Sequence, residues 1–325
     1  MTTLHEQLTK YLIDAHAIEE QALVQLRRAP ELAGDPAVAA SFAAHLEETE
    51  GHEIAVAEAL AERHAEPSAI KEAVMRAGGA GFVLFARLQP DTPGKLATHA
   101  YSYEHLELAS YELLRTVARI AGEEPVVRIA SAIAAQERAM AERLANSFDL
   151  TTAASLQGRD AAAHLTGYLA DAHAIEMQST TLLERAPKIV EDELLASLFE
   201  AHLEETREHA QLLESRLSEL DAGPSHLKDA AMKLGALNWG GFFQAHPDTP
   251  GKLTAFAFAF EHLEIGGYEH LLRVARIAQD DHTARIAEHI IAQERTAARA
   301  LAAAFDHAAR LSLQAAGVDL SATTA

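Results

Sequence analysis

The stretch Tyr11-Leu-Ile-Asp-Ala-His-Ala-Ile-Glu-Glu-Gln21 returns later in the same chain as Tyr168-Leu-Ala-Asp-Ala-His-Ala-Ile-Glu-Met-Gln178. His45-Leu-Glu-Glu-Thr49 returns as His202-Leu-Glu-Glu-Thr206, Glu104-His-Leu-Glu107 as Glu261-His-Leu-Glu264, and Ala135-Gln-Glu-Arg138 as Ala292-Gln-Glu-Arg295. The offset is 157 residues throughout (168 − 11 = 202 − 45 = 261 − 104 = 292 − 135), so the 325-residue chain is a tandem pair of one domain with no gap between matched segments. The repeat also supplies an internal comparison, in which Glu and His recur at fixed places while Glu20/Met177, Glu50/Arg207 and Glu53/Ala210 drift. A polar residue kept in both copies at a helix-core position is a candidate for chemistry.

The length accommodates two domains, expected at 1–150 and 160–307, with 151–159 as a linker and 308–325 as a frayed tail. Long Ala/Leu/Glu/Arg-rich stretches between clusters of Pro and Gly predict an all-α protein. Leu8, Leu12, Ala15, Ala22 and Leu26 recur at three- and four-residue steps and place a first helix over about 3–28. A second is expected over about 36–64. A shorter helix follows Pro67 and Ser68 and is expected to break at Gly78, Gly79 and Gly81. Two more long helices span about 93–121 and 125–148. The repeated Pro90-Asp-Thr-Pro-Gly-Lys-Leu96 reads as a loop and helix start, with Asp91 or Thr92 as cap. Four long helices and one short one, with a single long connection, match two tandem ferritin-like bundles of one-crossover topology.

A net charge of −21 argues against a nucleic-acid partner and favours divalent cations. There is no cysteine, which removes disulfides, thiolate metal sites and thiol nucleophiles. No signal segment and no apolar stretch of about 18 residues is present, so the expectation is a soluble, cytoplasmic protein without membrane contact. No Gly-rich cofactor motif and no Ser/His/Asp arrangement stands out.

The chemistry lies in the helix-core carboxylates. Glu19 falls on the apolar stripe of Leu8, Leu12 and Ala15, and Glu176 repeats it. Glu48 lies between Phe42 and Ala55, with His45 three residues before and His52 four after, all three on one side of the helix. Glu47 is rotated by about 100° and reads as surface. Glu107 follows Leu96, Ala100 and Tyr103, with Glu104 one turn back, and Glu137 sits among Val126, Ala130, Ile133, Met140 and Leu144. Such a cluster cannot stay ionised alone, because like charges and desolvation both oppose it. Protons or cations must compensate, and carboxylate with imidazole suits Fe, Mn or Zn.

His45-Leu-Glu-Glu-Thr49, Glu104-His-Leu-Glu-Leu-Ala-Ser-Tyr111 and Ala17-Ile-Glu-Glu-Gln21 resemble the signature segments of the YciF-like family, ferritin-like bacterial stress proteins. The resemblance covers nearly the whole chain as two copies. It implies a ferritin-like bundle with a dinuclear site built from Glu19, Glu48, Glu104, Glu107 and Glu137, and from Glu176, Glu205, Glu261, Glu264 and Glu294 in the second copy. The chain departs from ferritin practice, which places Glu-x-x-His on two helices. Here His52 is four residues after Glu48, and Met140 and Ala297 stand three after Glu137 and Glu294.

His52 and His209 are further candidate ligands. His16/His173 and His45/His202 lie three residues before a stripe carboxylate and are expected to hydrogen-bond it from outside the metal shell. Tyr111/Tyr268 reads as core tyrosine within reach of the site, His105/His262 as packing, and Glu58, Glu62 and Glu66 as a solvated face. Phe82, Phe85, Trp239, Phe242 and Phe243 are expected under the crossover helix or over a contact between the halves. The leading expectation is a metal-binding stress protein with a non-haem dinuclear centre in each half that reacts with peroxide or dioxygen, the two repeats pairing within one chain. The rival is a metal-free structural or interaction protein whose carboxylates are protonated or paired.

Overall fold

The structure, a computed structural model, describes residues 2–87, 91–224 and 248–320, with 85 and 86 as backbone only. The described residues form helices and connections without strands. Contacts divide the chain into two units, Met1–Ser155 with Phe305–Ala325, and Leu156–Ala304. No helix among the described residues is long and apolar enough to cross a membrane.

In the first unit α1 (Leu4–Leu26) begins in a capping box, where Thr3 accepts from the Glu6 amide and the Glu6 side chain reaches back to the Thr3 amide. After the single turn α2 (Ala29–Leu32), α3 (Pro36–Ala61) is capped by Asp35, which accepts from the amides of Ala37 and Val38. Then follow α4 (Ala69–Arg87), α5 (Thr92–Ile120), α6 (Glu124–Ala145) and α7 (Phe148–Leu156). The helix directions follow from which ends meet. One core cluster joins Leu26 of α1, Val38 and Phe42 of α3, Leu96 and Ala100 of α5, and Met140 and Leu144 of α6. At the opposite end Glu123, between α5 and α6, receives His5 at 3.3 Å and Arg63 at 2.9 Å. Hence α1 and α6 run one way and α3 and α5 the other, and α4 carries the chain back between the two parallel helices. Its ion pairs Asp14–Lys71 and Glu20–Arg76 fix it alongside α1.

In the second unit α8 (Ala161–Leu183), α9 (Ala186–Val190), α10 (Glu193–Glu219), α11 (Thr249–Ile277) and α12 (Asp281–Ala303) rebuild the same bundle. Leu165 and Leu169 meet Leu213 and Leu217, Leu271 and Ala275, and Ile286 and Ile290 in one cluster. The tandem helical bundles expected from the repeat are therefore present. The second crossover, with Trp239, Phe242 and Phe243, and the side chain of Phe85 lie outside the described residues.

Three local expectations need correction. The linker assigned to 151–159 is for the most part helix α7, with Thr151, Thr152 and Ser155 buried. Ser155 Oγ accepts from the Gly94 amide at 2.7 Å, the third helical position of α5. It thereby supplies the bond that Asp91, whose side chain makes no cap hydrogen bond, does not. The frayed tail assigned to 308–325 is instead α13 (Phe305–Ala315) over much of its length, with Phe305, Ala308, Ala309 and Leu313 buried. Asp306 ties α13 to α5 by accepting from Thr116 and Arg119 at 2.5 and 2.7 Å. Finally, α4 does not break at its glycines. Gly79 lies where α4 presses on α1, and a Cβ there would sit 3.0 Å from the Gln21 carbonyl oxygen and 3.3 Å from Val24 Cβ. The residue is small because the helices touch.

Beneath α4, Phe82 stacks on His99. Burial holds the His99 imidazole down at about 4, so it folds neutral.

Two tests follow. Gly79→Val is expected to lower stability by about 1–3 kcal/mol in chemical denaturation through overpacking. Gly81→Ala, with nothing within 4 Å of its Cβ, is expected to raise stability by up to about 1 kcal/mol through helix propensity. Equal effects would contradict the close contact at Gly79. For His99, the unfolded chain takes up a proton near the ordinary 6.5 and the folded one only near 4. Its contribution is thus complete above 6.5 and is lost as pH falls from 6.5 towards 4, by roughly 3 kcal/mol at most. His99→Phe, the residue of the second copy at Phe256, should flatten that part of the stability profile. An unchanged slope would show that His99 is not the buried neutral group.

Candidate metal centre

Each bundle brings one carboxylate or imidazole set from its four long helices to a common buried point. Glu19 on α1, Glu104 and Glu107 on α5, and Glu137 on α6 are all no more than 3% exposed, as are His45 and His52 on α3. Their placement follows from helical spacing. His45 and His52 are seven residues apart, two turns on one face, and Glu104 and Glu107 are three apart.

Glu137 is the centre of the arrangement. Its Oε2 lies 3.3 Å from His45 Nε2, which is also 2.9 Å from Glu104 Oε2. Its Oε1 lies 2.9 Å from His52 Nδ1, which is also 3.6 Å from Glu19 Oε2. Two groups of donor atoms result, His45/Glu104/Glu137 and Glu19/His52/Glu137, each with its atoms within 4.8 Å of one another. The second copy repeats them. His202 Nε2 lies 2.7 Å from Glu261 and 3.3 Å from Glu294, and His209 Nδ1 lies 2.9 Å from Glu294 and 3.5 Å from Glu176. Glu264 joins the His202/Glu261/Glu294 group.

These close approaches have ion-pair distances, yet none has the alignment of a hydrogen bond. His45 Nε2, His52 Nδ1, Glu104 Oε2, Glu19 Oε2 and both oxygens of Glu107 and Glu137 are buried without a hydrogen-bond partner, and so are their second-copy equivalents. The atoms crowd together but do not point along one another. The outward-facing ring nitrogens, in contrast, are bonded. His45 Nδ1 donates to Glu48 at 2.8 Å, and His52 Nε2 donates to Gln136 Oε1 at 2.9 Å. In the second copy His202 donates to Glu205 at 3.2 Å and His209 to Gln293 at 3.1 Å. When these outer bonds carry the ring proton of a neutral imidazole, the inner nitrogen presents a lone pair. Tyr111 donates to Glu19 Oε1 and Tyr268 to Glu176 Oε1, which leaves the other oxygen of each free.

The electrostatics are those of a site with too many anions. Burial, with Glu137 and Glu19 beside it, raises Glu107 well above the carboxylate range, and burial lifts Glu104 to about 8. Against burial, the two imidazoles hold Glu137 down at about 2. Burial also opposes charge on the histidines, but Glu104 and Glu137 hold His45 up at about 12, and Glu137 and Glu19 hold His52 at about 10.

Of the predicted residues, Glu19, His52, Glu104 and Glu137 come together, as do Glu176, His209, Glu261, Glu264 and Glu294, while Glu107 is buried but joins neither group of the first copy. Glu48 and Glu205 do not, since their side chains are 29% and 43% exposed and stand outside the histidines. Their role is exchanged with that of His45 and His202, which reach the inner point. Relative to His45, the buried Val38, Phe42, Thr49 and Val56 lie within about 60° to one side of α3 and Glu48 about 60° to the other. His16 bonds Glu53 at 2.8 Å, not Glu19. His105 and His262 are packing residues, donating to the Tyr101 and Phe258 carbonyls at 2.7 Å. Gln136 and Gln293 were not singled out, although Ala-Gln-Glu-Arg is one of the repeated strings. In the second copy Phe260 replaces Tyr103, and a small, mostly apolar cavity lined by Ser179, Phe199, Phe256 and Phe260 reaches Glu261.

No solved structure matches the chain. A family described as a domain of unknown function (DUF892) matches residues 3–157 and again residues 160–314. The second match begins 157 residues after the first; the first takes in α7 and the second all but the last residue of α13. On that coverage the chain belongs to the DUF892 family, as two members in tandem.

Proposed function

We propose that each copy binds a pair of divalent cations, one between His45, Glu104 and Glu137 and one between Glu19, His52 and Glu137, with Glu107 completing the first. His202, Glu261, Glu264 and Glu294, and Glu176, His209 and Glu294, do the same in the second copy. The observation that carries this reading is the set of inward nitrogens and oxygens that lie 2.7–3.6 Å apart yet make no hydrogen bonds. Donor atoms crowded together without aligned hydrogen bonds suit ligands of a shared ion, whereas paired acids and bases aim at each other. Charge supports it as well. Four carboxylates and two neutral imidazoles are neutralised by two divalent ions, while without them the site must hold several protons.

The donor set of imidazole and carboxylate without thiolate favours Fe, Mn or Zn. With the one-crossover bundle and the resemblance to YciF-like proteins, it supports a ferritin-like, cytoplasmic stress protein. Iron or manganese bound there would supply redox chemistry toward peroxide or dioxygen. The chain's own part is to fix the ligands through Glu48, Gln136 and Tyr111 and to keep bulk water from the carboxylates. The metal-free interaction protein is favoured by one observation, that Glu137 lies between two imidazoles that can carry its counter-charge.

Elemental analysis of protein purified without chelator separates the two. The proposal expects about four divalent ions per chain and a thermal stabilisation that grows with metal concentration, about 2.7 kcal/mol at a hundredfold excess over the dissociation constant. Glu137→Ala should halve the metal content, and Glu137→Ala with Glu294→Ala should abolish both metal and stabilisation. Ferrous loading of the unaltered chain should give oxidation faster than free iron. A protein that retains no metal and takes none up on titration is the interaction protein.

A further inference from the structure

The two centres share their inner residues but not their outer door. In the first copy Glu48, the carboxylate that holds His45 from outside, also accepts from Arg143 at 2.8 Å. The His45 side chain is 0% exposed and its bond to Glu48 is 2.8 Å. In the second copy the residue at the position of Arg143 is Ala300, by the same offset of 157 (300 − 143). Among the described residues no guanidinium or ammonium group pairs with Glu205. It is 43% exposed against 29% for Glu48, its bond to His202 is 3.2 Å, and His202 is 6% exposed.

We infer that Arg143 latches the first metal centre, and that the second, without a latch, is the one that exchanges metal with solution. The inference rests on the metal-binding reading of the same sites and adds that they are kinetically unlike. Two physical effects act in one direction. The charge-assisted bond between Arg143 and Glu48 must break before His45 can turn its inner nitrogen outward. The guanidinium also places a positive charge beside Glu48 on the outer side of His45, whereas in the second copy, among the described residues, no basic side chain but His202 pairs with Glu205. The sequence comparison points to Arg143 independently, since the inner residues are identical in the two copies and this outer one is not. Arg143 is a positioning residue: it acts on the site through Glu48 and His45.

The test uses the full chain loaded with Zn2+ and mixed rapidly with an excess of a colour-forming chelator. The ion at His45 is expected to leave about tenfold or more slowly than the ion at His202, as the loss of one charge-assisted hydrogen bond implies, so a slow phase of about one ion in four stands beside faster release of the others. Glu137→Ala should remove the slow phase and Glu294→Ala should leave it in place. Arg143→Ala should bring the slow phase up to the fast rate at unchanged metal content, and Ala300→Arg should move a second ion into the slow phase. A chain that binds its full complement and releases it in a single phase, or a slow phase indifferent to Arg143→Ala, overturns the latch and leaves metal binding standing. A chain that binds no Zn2+ overturns both.

Discussion

Four carboxylates held in the dry centre of each bundle are the constraint around which the rest of the structure is arranged. A buried ion without compensation costs several kcal/mol, and the whole stability of a domain is about 5–15 kcal/mol. Four such groups cannot be tolerated as bare anions. Glu137, lying between His45 and His52 and held near 2, is the one carboxylate that the protein's own groups keep charged. Glu104 and Glu107 are driven upward by burial and by the charge of Glu137, and only Glu104 has an imidazole, His45, beside it. Protons or cations must make up the difference.

The outer residues orient the inner ones. Glu48, Gln136 and Tyr111 are spent on the backs of His45, His52 and Glu19, so that each inner residue is oriented by a bond on its far side. Helices α1, α3, α5 and α6 contribute to the same point because each carries polar residues on its core stripe, and the capping at Thr3 and Asp35 and the bond from Ser155 fix where α1, α3 and α5 start. Packing, capping and site geometry are in this sense one arrangement.

Much of this was legible in the sequence, because the repeat distinguished fixed residues from drifting ones. Glu19, Glu104, Glu107 and Glu137 could be placed on their stripes by counting, and they meet as counted. Spacing alone puts His45, Glu48 and His52 on one helix side, whereas the stripe's centre, set by Val38, Phe42, Thr49 and Val56, lies on the side away from Glu48, so His45 and not Glu48 faces inward. The helices α7 and α13 are marked in the sequence only by the repeat itself, in which Phe148-Asp149 and Phe305-Asp306, and Ser155-Leu156 and Ser312-Leu313, obey the same offset. Their Thr, Ser and Ala content reads as linker until the partners of Ser155 and Asp306 are seen. The glycines of α4 read as breaks in sequence, which does not show that α1 lies against Gly79.

The most direct test of the central claim is anomalous diffraction from crystals of the full chain loaded with Mn2+. The account predicts two peaks in each copy, one between His45, Glu104 and Glu137 and one between Glu19, His52 and Glu137, with their equivalents around Glu294. Density without peaks at these positions, with the histidines turned to hydrogen-bond the carboxylates, would contradict it.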